Sequence, residues 1–263
     1  MKQQIISLLS PEHPWKDRIY WFDSLDSTNT RAKLMTHEGV PHGTVLLAGH
    51  QTGGRGRMGR SFHSPAGSGL YLSVILRPKE APEAWMHLTC AAAVAACTAI
   101  EAVCGLRPGI KWTNDLVWNR RKLGGILTEL SVLPDSTAAI IGIGINISQA
   151  PEDFPRELQE MAGSLGMFCP TPPSRAQLAA SLILQLQKMD ENLFAGKSAM
   201  LEAYRNNCIT LGTDVSIVQG ESIRHGHALT VDDQGALVVA FPDGHTEAVK
   251  SGEVSIRGMY GYV

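Results

Sequence analysis

The feature that most constrains this chain is the stretch of residues 51–60, QTGGRGRMGR, which holds four glycines and three arginines. Glycine leaves backbone N–H groups uncovered and accepts positive φ angles, so such a chain can wrap closely around a ligand. Arginine adds planar cations that match the oxygens of carboxylates and phosphates. The stretch therefore predicts a loop that closes on an anion, such as a nucleotide, a phosphate or a carboxylate.

The spacing of Gly54, Gly56 and Gly59 also satisfies the GxGxxG pattern of dinucleotide-binding proteins. That pattern requires a helix that opens at the second or third glycine, so that the pyrophosphate meets the helix N-terminus. Residues 61–69 (SFHSPAGSG) are instead typical of a loop. The sequence therefore disfavours a dinucleotide fold, and the main alternative to an anion-binding loop is a solvated loop without a ligand.

The composition is that of a globular protein with a substantial core. Apolar residues make up 44% of the 263 residues, and the formal net charge of -2 disfavours nonspecific nucleic-acid binding, which needs a basic face. Five cysteines without CxxC spacing argue against a disulfide framework and a zinc ribbon. The N-terminus lacks the features of a signal peptide, and the apolar run of residues 89–100 is too short to span a bilayer. We therefore expect a cytoplasmic protein that binds no membrane.

Three histidines near the C-terminus offer an alternative metal site: His225, His227 and His245. Exposed histidines on strands are far more often without a metal than bound to one. We therefore expect no metal held by a direct cluster of protein side chains.

Periodicity and composition predict the helices and strands of the first 210 residues. Long helices are expected at residues 84–104, which are rich in alanine with cysteine at every seventh position, and at residues 175–194. Shorter helices are expected at residues 198–206 and at residues 31–37, where several preceding residues suit an N-cap. Strands are expected at residues 18–22, 44–48, 70–76, 110–112, 116–118, 125–133 and 138–147.

The composition changes after residue 210. Turn signals there separate five short strands, expected at residues 215–218, 223–229, 237–240, 246–249 and 254–256. Such a run is typical of a small β-barrel. We therefore predict two domains, residues 1–210 and residues 211–263.

Three further parts of the sequence combine polar side chains with glycine or a helix start: residues 27–29, residues 111–115 with 122–125, and residues 142–146. Each has a structural alternative, namely a helix cap, a surface ion pair that contributes roughly 0–1 kcal/mol, and a turn-forming asparagine. The two glycines that follow soon after Lys122 favour a functional interpretation, because glycine in a strand often marks a close approach of the backbone to a ligand.

Taken together, these motifs resemble those of the biotin protein ligases. The GRGRxGR loop of that family stands here as residues 54–60, preceded by Gln51, and the KWPND motif is similar to residues 111–115, with Thr113 in place of proline. Further parts of the resemblance lie at residues 27–29, 122–129, 142–147 and 252–257. The resemblance spans about residues 20–260, with the motifs in the order of the family.

The resemblance implies an α+β fold, with a mixed-sheet catalytic domain of the biotin/lipoate ligase type followed by a small SH3-like β-barrel. It also implies a ligase that uses biotin as substrate together with ATP and Mg²⁺. The carboxylate of biotin would attack the α-phosphate of ATP to give biotinyl-5′-AMP and pyrophosphate. A lysine of a biotin carboxyl carrier domain would then take the biotinyl group. Mg²⁺ and arginines would neutralise the reacting anions, and the metal is expected to arrive with ATP and to lie near Asp115.

The resemblance also implies roles for individual residues. The implied catalytic residues are Lys122, Arg55 and Asp115. The implied biotin-binding residues are Ser27, Thr28, Asn29, Gln51, Arg55, Gly56, Arg57, Lys122 and Gly125. The implied ATP- or adenylate-binding residues are Gly54, Arg57, Arg60, Phe62, Trp112, Asn114, Asn146 and Arg257. Short polar side chains in an apolar pocket suit the ureido ring of biotin, which offers one carbonyl acceptor and two N–H donors.

The expected partner is the biotin carboxyl carrier domain of a biotin-dependent carboxylase. Some members of the family carry an N-terminal DNA-binding domain, but this chain reaches Ser27 almost at once, so we expect no DNA binding. We also expect a monomer or weak homodimer. Two alternatives are a lipoate-type protein ligase, which shares the acyl-adenylate chemistry, and a non-catalytic biotin-binding regulator. Gln51 and the complete motif of residues 54–60 favour biotin.

Residues 53–63, called the cationic loop below, are expected to be mobile. Ordering a glycine-rich loop costs roughly 1–2 kcal/mol per residue, and contacts with a ligand must offset that cost. We therefore predict that the cationic loop is open or disordered without ligand and folds over the adenylate, which excludes water from the reactive anhydride.

Overall fold

The computed structural model describes residues 1–134, 136–219, 221–250 and 253–256. The α-helices in this part of the chain are α1 (Lys2–Leu8), α2 (Thr28–His37), α3 (Leu88–Cys104), α4 (Arg175–Glu191) and α5 (Lys197–Asn207). The strands before residue 210 are β1 (Ile19–Phe22), β2 (Thr44–Ala48), β3 (Gly69–Leu76), β4 (Gly109–Lys111), β5 (Asp115–Trp118), β6 (Arg121–Leu133) and β7 (Ser136–Asn146). The strands after residue 210 are β8 (Asp214–Gln219), β9 (Ser222–Val231), β10 (Leu237–Ala240), β11 (Thr246–Val249) and β12 (Glu253–Ile256).

The first seven strands form one mixed sheet in the order β1-β2-β3-β7-β6-β5-β4. The β1–β2 pair is parallel, and the other neighbouring pairs are antiparallel. Side chains alternate between the two faces of a strand, so successive residues of β3 and β7 enter different clusters. One face packs against α3 and α4, and the opposite face packs against α2.

The sequence of β7 explains why one face of this sheet has room for a ligand. Ile143 and Ile145 point into the large core shared with α3 and α4. The glycines at positions 142 and 144 alternate with them and leave space on the α2 face. An Ile-Gly alternation thus gives a buried core on one side and an open surface on the other.

The helix α3 is the central helix of the core. It ends at Gly105, whose φ of 66° lies in the left-handed region that glycine accepts without a steric cost. It begins four residues later than predicted, because a 3₁₀ turn at Pro82–Trp85 precedes it. Pro82–Cys104 is long and apolar enough to cross a membrane, in contrast to the prediction from residues 89–100 alone, but 61% of its most apolar 18 residues are buried inside the protein. Burial against α4 and the sheet accounts for that composition.

The cysteines of α3 lie in this core. Burial raises the pKa of the Cys90 and Cys97 thiols to about 12, so these thiols stay protonated at neutral pH and are poor nucleophiles. The predicted interpretation of the seven-residue cysteine spacing as a buried helix face is confirmed for these two residues.

The last five strands form a second, antiparallel sheet in the order β11-β10-β9-β8-β12. Its first strand begins at Asp214, and the domain boundary near residue 210 stays a prediction. The turn after β9 contacts the first sheet region, because Trp112 Nε1 donates to Gly235 O at 2.9 Å. Arg205 of α5 adds a second link by donating from Nε to Val231 O at 2.6 Å.

Candidate functional site

A cavity of about 260 Å³ lies on the α2 face of the large sheet, over the glycines of β7. Segments far apart in the sequence meet there: the start of α2, the cationic loop, the β4–β6 region, β7 and residues 154–162. The predicted site residues that line it are Ser27, Thr28, Asn29, Gln51, Arg55, Gly56, Arg57, Arg60, Phe62, Trp112, Asn114, Asp115, Lys122, Gly125 and Asn146. Arg257 lies outside the described residues.

Gly54 is the predicted site residue that does not line the cavity. A Cβ at this position would lie 2.4 Å from Phe62 O and 2.5 Å from Ser64 Oγ. Phe62 N also donates to Gly54 O at 2.8 Å. Glycine is needed here because the two arms of the loop pass each other closely, which is a structural reason and differs from the predicted contact with the adenylate.

The cationic loop is a short hairpin that spans the cavity. Arg55 and Ser61 form an antiparallel bridge, and Gly56 N donates to Arg60 O at 2.7 Å. Arg57 reaches the opposite wall, where its Nη1 donates to Thr113 Oγ1 at 3.3 Å and to Asn114 Oδ1 at 3.1 Å. Two walls of the cavity are therefore joined through the loop.

The start of α2 forms one polar end of the cavity. Ser27 occupies the N-cap position, but its side chain makes no capping hydrogen bond. Gln51 takes that role, because its Oε1 accepts from Thr28 N at 2.8 Å and from Thr28 Oγ1 at 3.1 Å. Gln51 Nε2 in turn donates to Ser64 Oγ at 2.9 Å. The N-cap thus falls within the predicted residues 27–29 and the helix begins three residues earlier than predicted, while the capping atoms belong to Gln51.

The amide of Asn29 is held by the protein itself. Its Nδ2 donates to Leu127 O at 3.1 Å and to Glu129 Oε2 at 2.8 Å, and its Oδ1 accepts from Ser73 Oγ at 2.7 Å. An amide has two N–H groups and two acceptor positions on oxygen. These contacts use both N–H groups, so the geometry favours a role in positioning neighbours over the predicted direct recognition of a ureido ring.

Lys122 and Asp115 form an ion pair on the neighbouring strands β5 and β6. The distance from Nζ to Oδ1 is 2.6 Å, and the side chains are 37% and 21% exposed, respectively. Gly125 pairs directly with Asp115 across the two strands. The ammonium group is thus held at the cavity by a carboxylate instead of moving freely on its four-carbon stem.

Trp112 forms a wall of the cavity and is nearly fully buried. Its backbone N donates to Thr210 Oγ1 at 2.9 Å, and its indole donates to Gly235 O as described above. Tyr204 of α5 donates from its hydroxyl to Thr113 O at 3.0 Å. The Trp112–Thr113 peptide bond is cis. The hydrogen bonds to Tyr204, Thr210 and Gly235 fix residues 112–113 to α5 and to the C-terminal region that holds the second sheet.

Sequence and structure comparisons identify the family. The chain matches the biotin/lipoate A/B protein ligase family over residues 21–146 and the biotin protein ligase C-terminal domain over residues 210–257. It is 35% identical over 228 residues to the bifunctional ligase/repressor BirA of Bacillus subtilis. This match covers 86% of the present chain and 70% of that protein. It is 32% identical to the biotin–[acetyl-CoA-carboxylase] ligase of Paracoccus denitrificans, and this match covers 89% of the present chain and 98% of that protein. The chain belongs to the biotin protein ligase family.

A solved structure agrees with this assignment. The biotin protein ligase from Aquifex aeolicus in complex with biotin and ATP has a TM-score of 0.78 and 28% sequence identity, and the match covers 91% of this chain and 98% of that chain. The predicted family and the predicted fold, a mixed-sheet domain followed by a small SH3-like domain, are therefore confirmed, as is the prediction that the chain is a ligase.

Sequence reasoning missed one apolar wall of this biotin ligase cavity, contributed by Phe154, Leu158, Met161 and Ala162. These residues follow β7 in a segment of 3₁₀ turns, so no helical or strand periodicity marks them. Backbone hydrogen bonds fix the segment to β6: Lys122 N donates to Met161 O at 2.7 Å, and Gly163 N donates to Lys122 O at 2.9 Å. The closest available signal was the apolar residues spaced three or four apart in a polar segment.

Sequence reasoning also missed two charged residues. Lys111 lines the cavity and is buried. Glu129 pairs with Arg55 of the cationic loop. Both residues stand within recognised motifs, but strand register decides that Lys111 faces the cavity and that Glu129 meets Arg55, and a single sequence does not fix the register.

The described residues contain no group of three or more His, Cys, Asp and Glu side chains that could hold a metal. The histidines considered for zinc lie in separate pairs, with His227 Nδ1 2.9 Å from Asp214 Oδ1 and His225 Nδ1 3.0 Å from Ser216 Oγ. Among the described residues that line the cavity, Asp115 is the one with a carboxylate.

Proposed function

We propose that this chain activates biotin with ATP to biotinyl-5′-AMP and transfers the biotinyl group to a lysine of a biotin carboxyl carrier domain. The observation that carries the proposal is a single cavity in which the Lys122–Asp115 pair, the arginines of the cationic loop and the polar start of α2 meet. Its relatives include a biotin–[acetyl-CoA-carboxylase] ligase, and a similar structure holds biotin and ATP.

The reaction brings two anions together, so cations are needed in the cavity. A carboxylate oxygen of biotin forms a bond to the α-phosphorus of ATP, and the bond to the pyrophosphate leaving group breaks. Lys122 and Arg57 would hold the carboxylate and the phosphate and stabilise the charge that develops between them. Asp115 would fix the ammonium group of Lys122 in place.

Ser27 is the proposed direct contact for the ureido ring of biotin. Its hydroxyl makes no capping bond, while Gln51 caps the helix and Asn29 is held by Glu129, Leu127 and Ser73. A hydroxyl both donates and accepts, which suits a ring that offers one carbonyl and two N–H groups. Thr28, Gln51 and Asn29 would then shape the end of the cavity around it.

Phe62 and Asn146 form the proposed adenine end. The Phe62 ring meets Tyr71 in a T-shaped contact with 6.5 Å between ring centroids. Asn146 Nδ2 donates to Gly163 O at 2.9 Å, which leaves one N–H of the amide for a purine edge. The apolar wall of Phe154 and Leu158 would cover the faces of the base.

Mg²⁺ would accompany ATP. This ion is usually held by one or two carboxylates together with the phosphate oxygens of a substrate, and Asp115 at the cavity fits that donor set. When bound, Mg²⁺ would neutralise part of the triphosphate charge.

DNA binding, oligomeric state and location remain predictions. The Bacillus subtilis relative is named a bifunctional ligase/repressor, whereas the formal net charge of -2 of this chain disfavours nonspecific nucleic-acid binding. We propose that the chain described here acts without DNA, as a monomer or weak homodimer in the cytoplasm.

The proposal is tested by incubating the purified chain with biotin, ATP, Mg²⁺ and an isolated biotin carboxyl carrier domain. We expect the intact mass of the carrier to rise by one biotinyl group and peptide mapping to place that group on one lysine. A parallel reaction with lipoate in place of biotin should leave the carrier unchanged. Transfer of lipoate with equal efficiency, or no transfer of biotin, would contradict the proposal.

A further inference from the structure

We propose that Glu129 is a positioning residue that latches the cationic loop over the cavity through its ion pair with Arg55. Glu129 lies on β6, two residues beyond Leu127, which lines the cavity. One oxygen, Oε2, accepts hydrogen bonds from both Arg55 Nη2 and Asn29 Nδ2. The carboxylate therefore joins a loop, a strand and the start of a helix at one atom.

The base of this latch is fixed. Asn29 Nδ2 also donates to Leu127 O at 3.1 Å, and Asn29 Oδ1 accepts from Ser73 Oγ at 2.7 Å. These partners belong to β6 and β3 of the same sheet. Glu129 thus presents its charge from a position that the sheet and α2 hold in place.

The loop, in contrast, has few contacts of its own. Its tip is solvated, and Met58 is 65% exposed with a positive φ of 56°. Arg55 joins the tip to Glu129, and Arg57 joins it to Thr113 and Asn114. The base of the loop is tied separately, since Gly53 N donates to Asp26 O at 2.8 Å and His63 Nε2 lies 3.1 Å from Asp153 O. Loss of the Arg55 contact should therefore open the tip of the loop more often.

This arrangement separates the roles of the two arginines. The charge of Arg55 is compensated by Glu129, whereas Arg57 donates to the neutral oxygens of Thr113 and Asn114. Arg57 therefore keeps its charge for a phosphate or carboxylate, and Arg55 holds the loop closed. The predicted catalytic role of Arg55 becomes a positioning role.

The size of the effect follows from the exposure of the pair. The Arg55 and Glu129 side chains are 43% and 27% exposed, so solvent screens much of their attraction. We expect the latch to change loop opening by about two- to fivefold, and not by many orders of magnitude.

The variant Glu129→Gln tests this directly. Glutamine keeps the shape and an acceptor for Asn29, but it removes the charge that binds Arg55. We expect amide hydrogen exchange at Gly56, Arg60 and Phe62 to be about two- to fivefold faster than in the wild type, without any ligand present. A second readout rests on the proposed function. We expect a similar increase in the rate at which preformed biotinyl-AMP leaves the protein.

Glu247→Gln is the matched control. Glu247 pairs with Arg224 in the C-terminal sheet at 2.5 Å and 3.0 Å, and its side chain is 39% exposed. We expect this variant to leave loop exchange and biotinyl-AMP release unchanged. Equal rates in Glu129→Gln and the wild type, or the same acceleration in both variants, would overturn the latch.

A second substitution tests the latch even if Glu129→Gln does not fold. Arg55→Met removes the other partner without touching Asn29, and it should speed exchange by the same factor. The double variant should be no faster than either single variant, because both changes break one interaction. Additive effects would overturn the proposal. A wild-type chain that makes no biotinyl-AMP would contradict the proposed function, while the ligand-free exchange would still decide the latch.

Discussion

At the scale of single residues, Lys122 is the side chain on which the chemistry depends most. It is paired with Asp115 at a partly exposed position, where an ion pair contributes roughly 0–1 kcal/mol to stability. Lys122→Ala should therefore lower the rate of biotinyl-AMP formation by about 100-fold or more, in the range found when one group that stabilises developing charge is removed. Thermal unfolding should change little.

The control is Lys33→Ala, an exposed lysine on α2, which should retain full activity. A parallel loss of melting temperature and activity in Lys122→Ala would make Lys122 a structural residue.

Ser27 and Gln51 should separate binding from stability. Gln51→Ala removes the acceptor for Thr28 N and should destabilise the protein by about 0.5–2 kcal/mol, as the loss of a helix cap does. Ser27→Ala removes no capping bond, so it should raise the KM for biotin while the free energy of unfolding stays constant. Chemical denaturation and biotin titrations of the two variants measure this, and a loss of stability in Ser27→Ala would refute the division of roles.

The cavity residues could be predicted to the extent that they stand in motifs with a chemical reason. Residues such as Lys122, Arg57 and Ser27 were expected in a binding site, and all three line the cavity. The commitment of Asn29 and Arg55 to Glu129 could not be predicted, because it depends on long-range register between β6, α2 and the loop.

At the scale of elements, two adjacent glycines on β6 serve different purposes. A Cβ on Gly124 would lie 2.3 Å from Gly144 O, which is backbone of the paired strand β7. A Cβ on Gly125 would meet its neighbours at 3.5 Å or more, which is ordinary contact. Gly124 is therefore needed because strands β6 and β7 approach each other closely at this residue. Gly125 is the glycine of the two that faces the cavity.

Alanine substitutions should distinguish the two positions. Gly124→Ala must push β6 away from β7 and should destabilise the protein by about 1–3 kcal/mol. Gly125→Ala should fold normally and weaken biotin or ATP binding by occupying part of the cavity. Denaturant unfolding with ligand titration measures both effects, and equal stability of the two variants would contradict the packing described here.

The cationic loop should gain order on ligand binding. Its few hairpin contacts offset only part of the ordering cost of a glycine-rich segment. Amide hydrogen exchange of residues 53–63 should therefore slow markedly when biotin and ATP are both added. Equal protection with and without the ligands would remove the gating role.

The elements that could be predicted are those with strong periodicity. The helices α3 and α4 and the strands of β7 and the C-terminal sheet lie where apolar patterns placed them, within a few residues. The helix α1, with seven residues, is too short for a clear period. The 3₁₀ turns after β7 have no pattern of their own and take their shape from hydrogen bonds to Lys122 and Arg121.

At the scale of the whole molecule, the C-terminal sheet supports the cavity from behind. Trp112 lines the cavity on one side and donates to Gly235 on the other, and Arg205 binds the same region through Val231 O and, at 3.1 Å, Asp233 Oδ1. The change in composition near residue 210 indicates a second module. Its contacts with the cavity could not be predicted, because they join residues about 25 to 120 positions apart in the chain and no local sequence pattern marks them.

The whole account depends on an acyl-adenylate made in this cavity. The most direct measurement is the exchange of labelled pyrophosphate into ATP by the purified chain with Mg²⁺. We predict exchange that requires biotin, is not supported by lipoate and is lost in Lys122→Ala. Absence of exchange with biotin, or equal exchange with lipoate, would contradict the account.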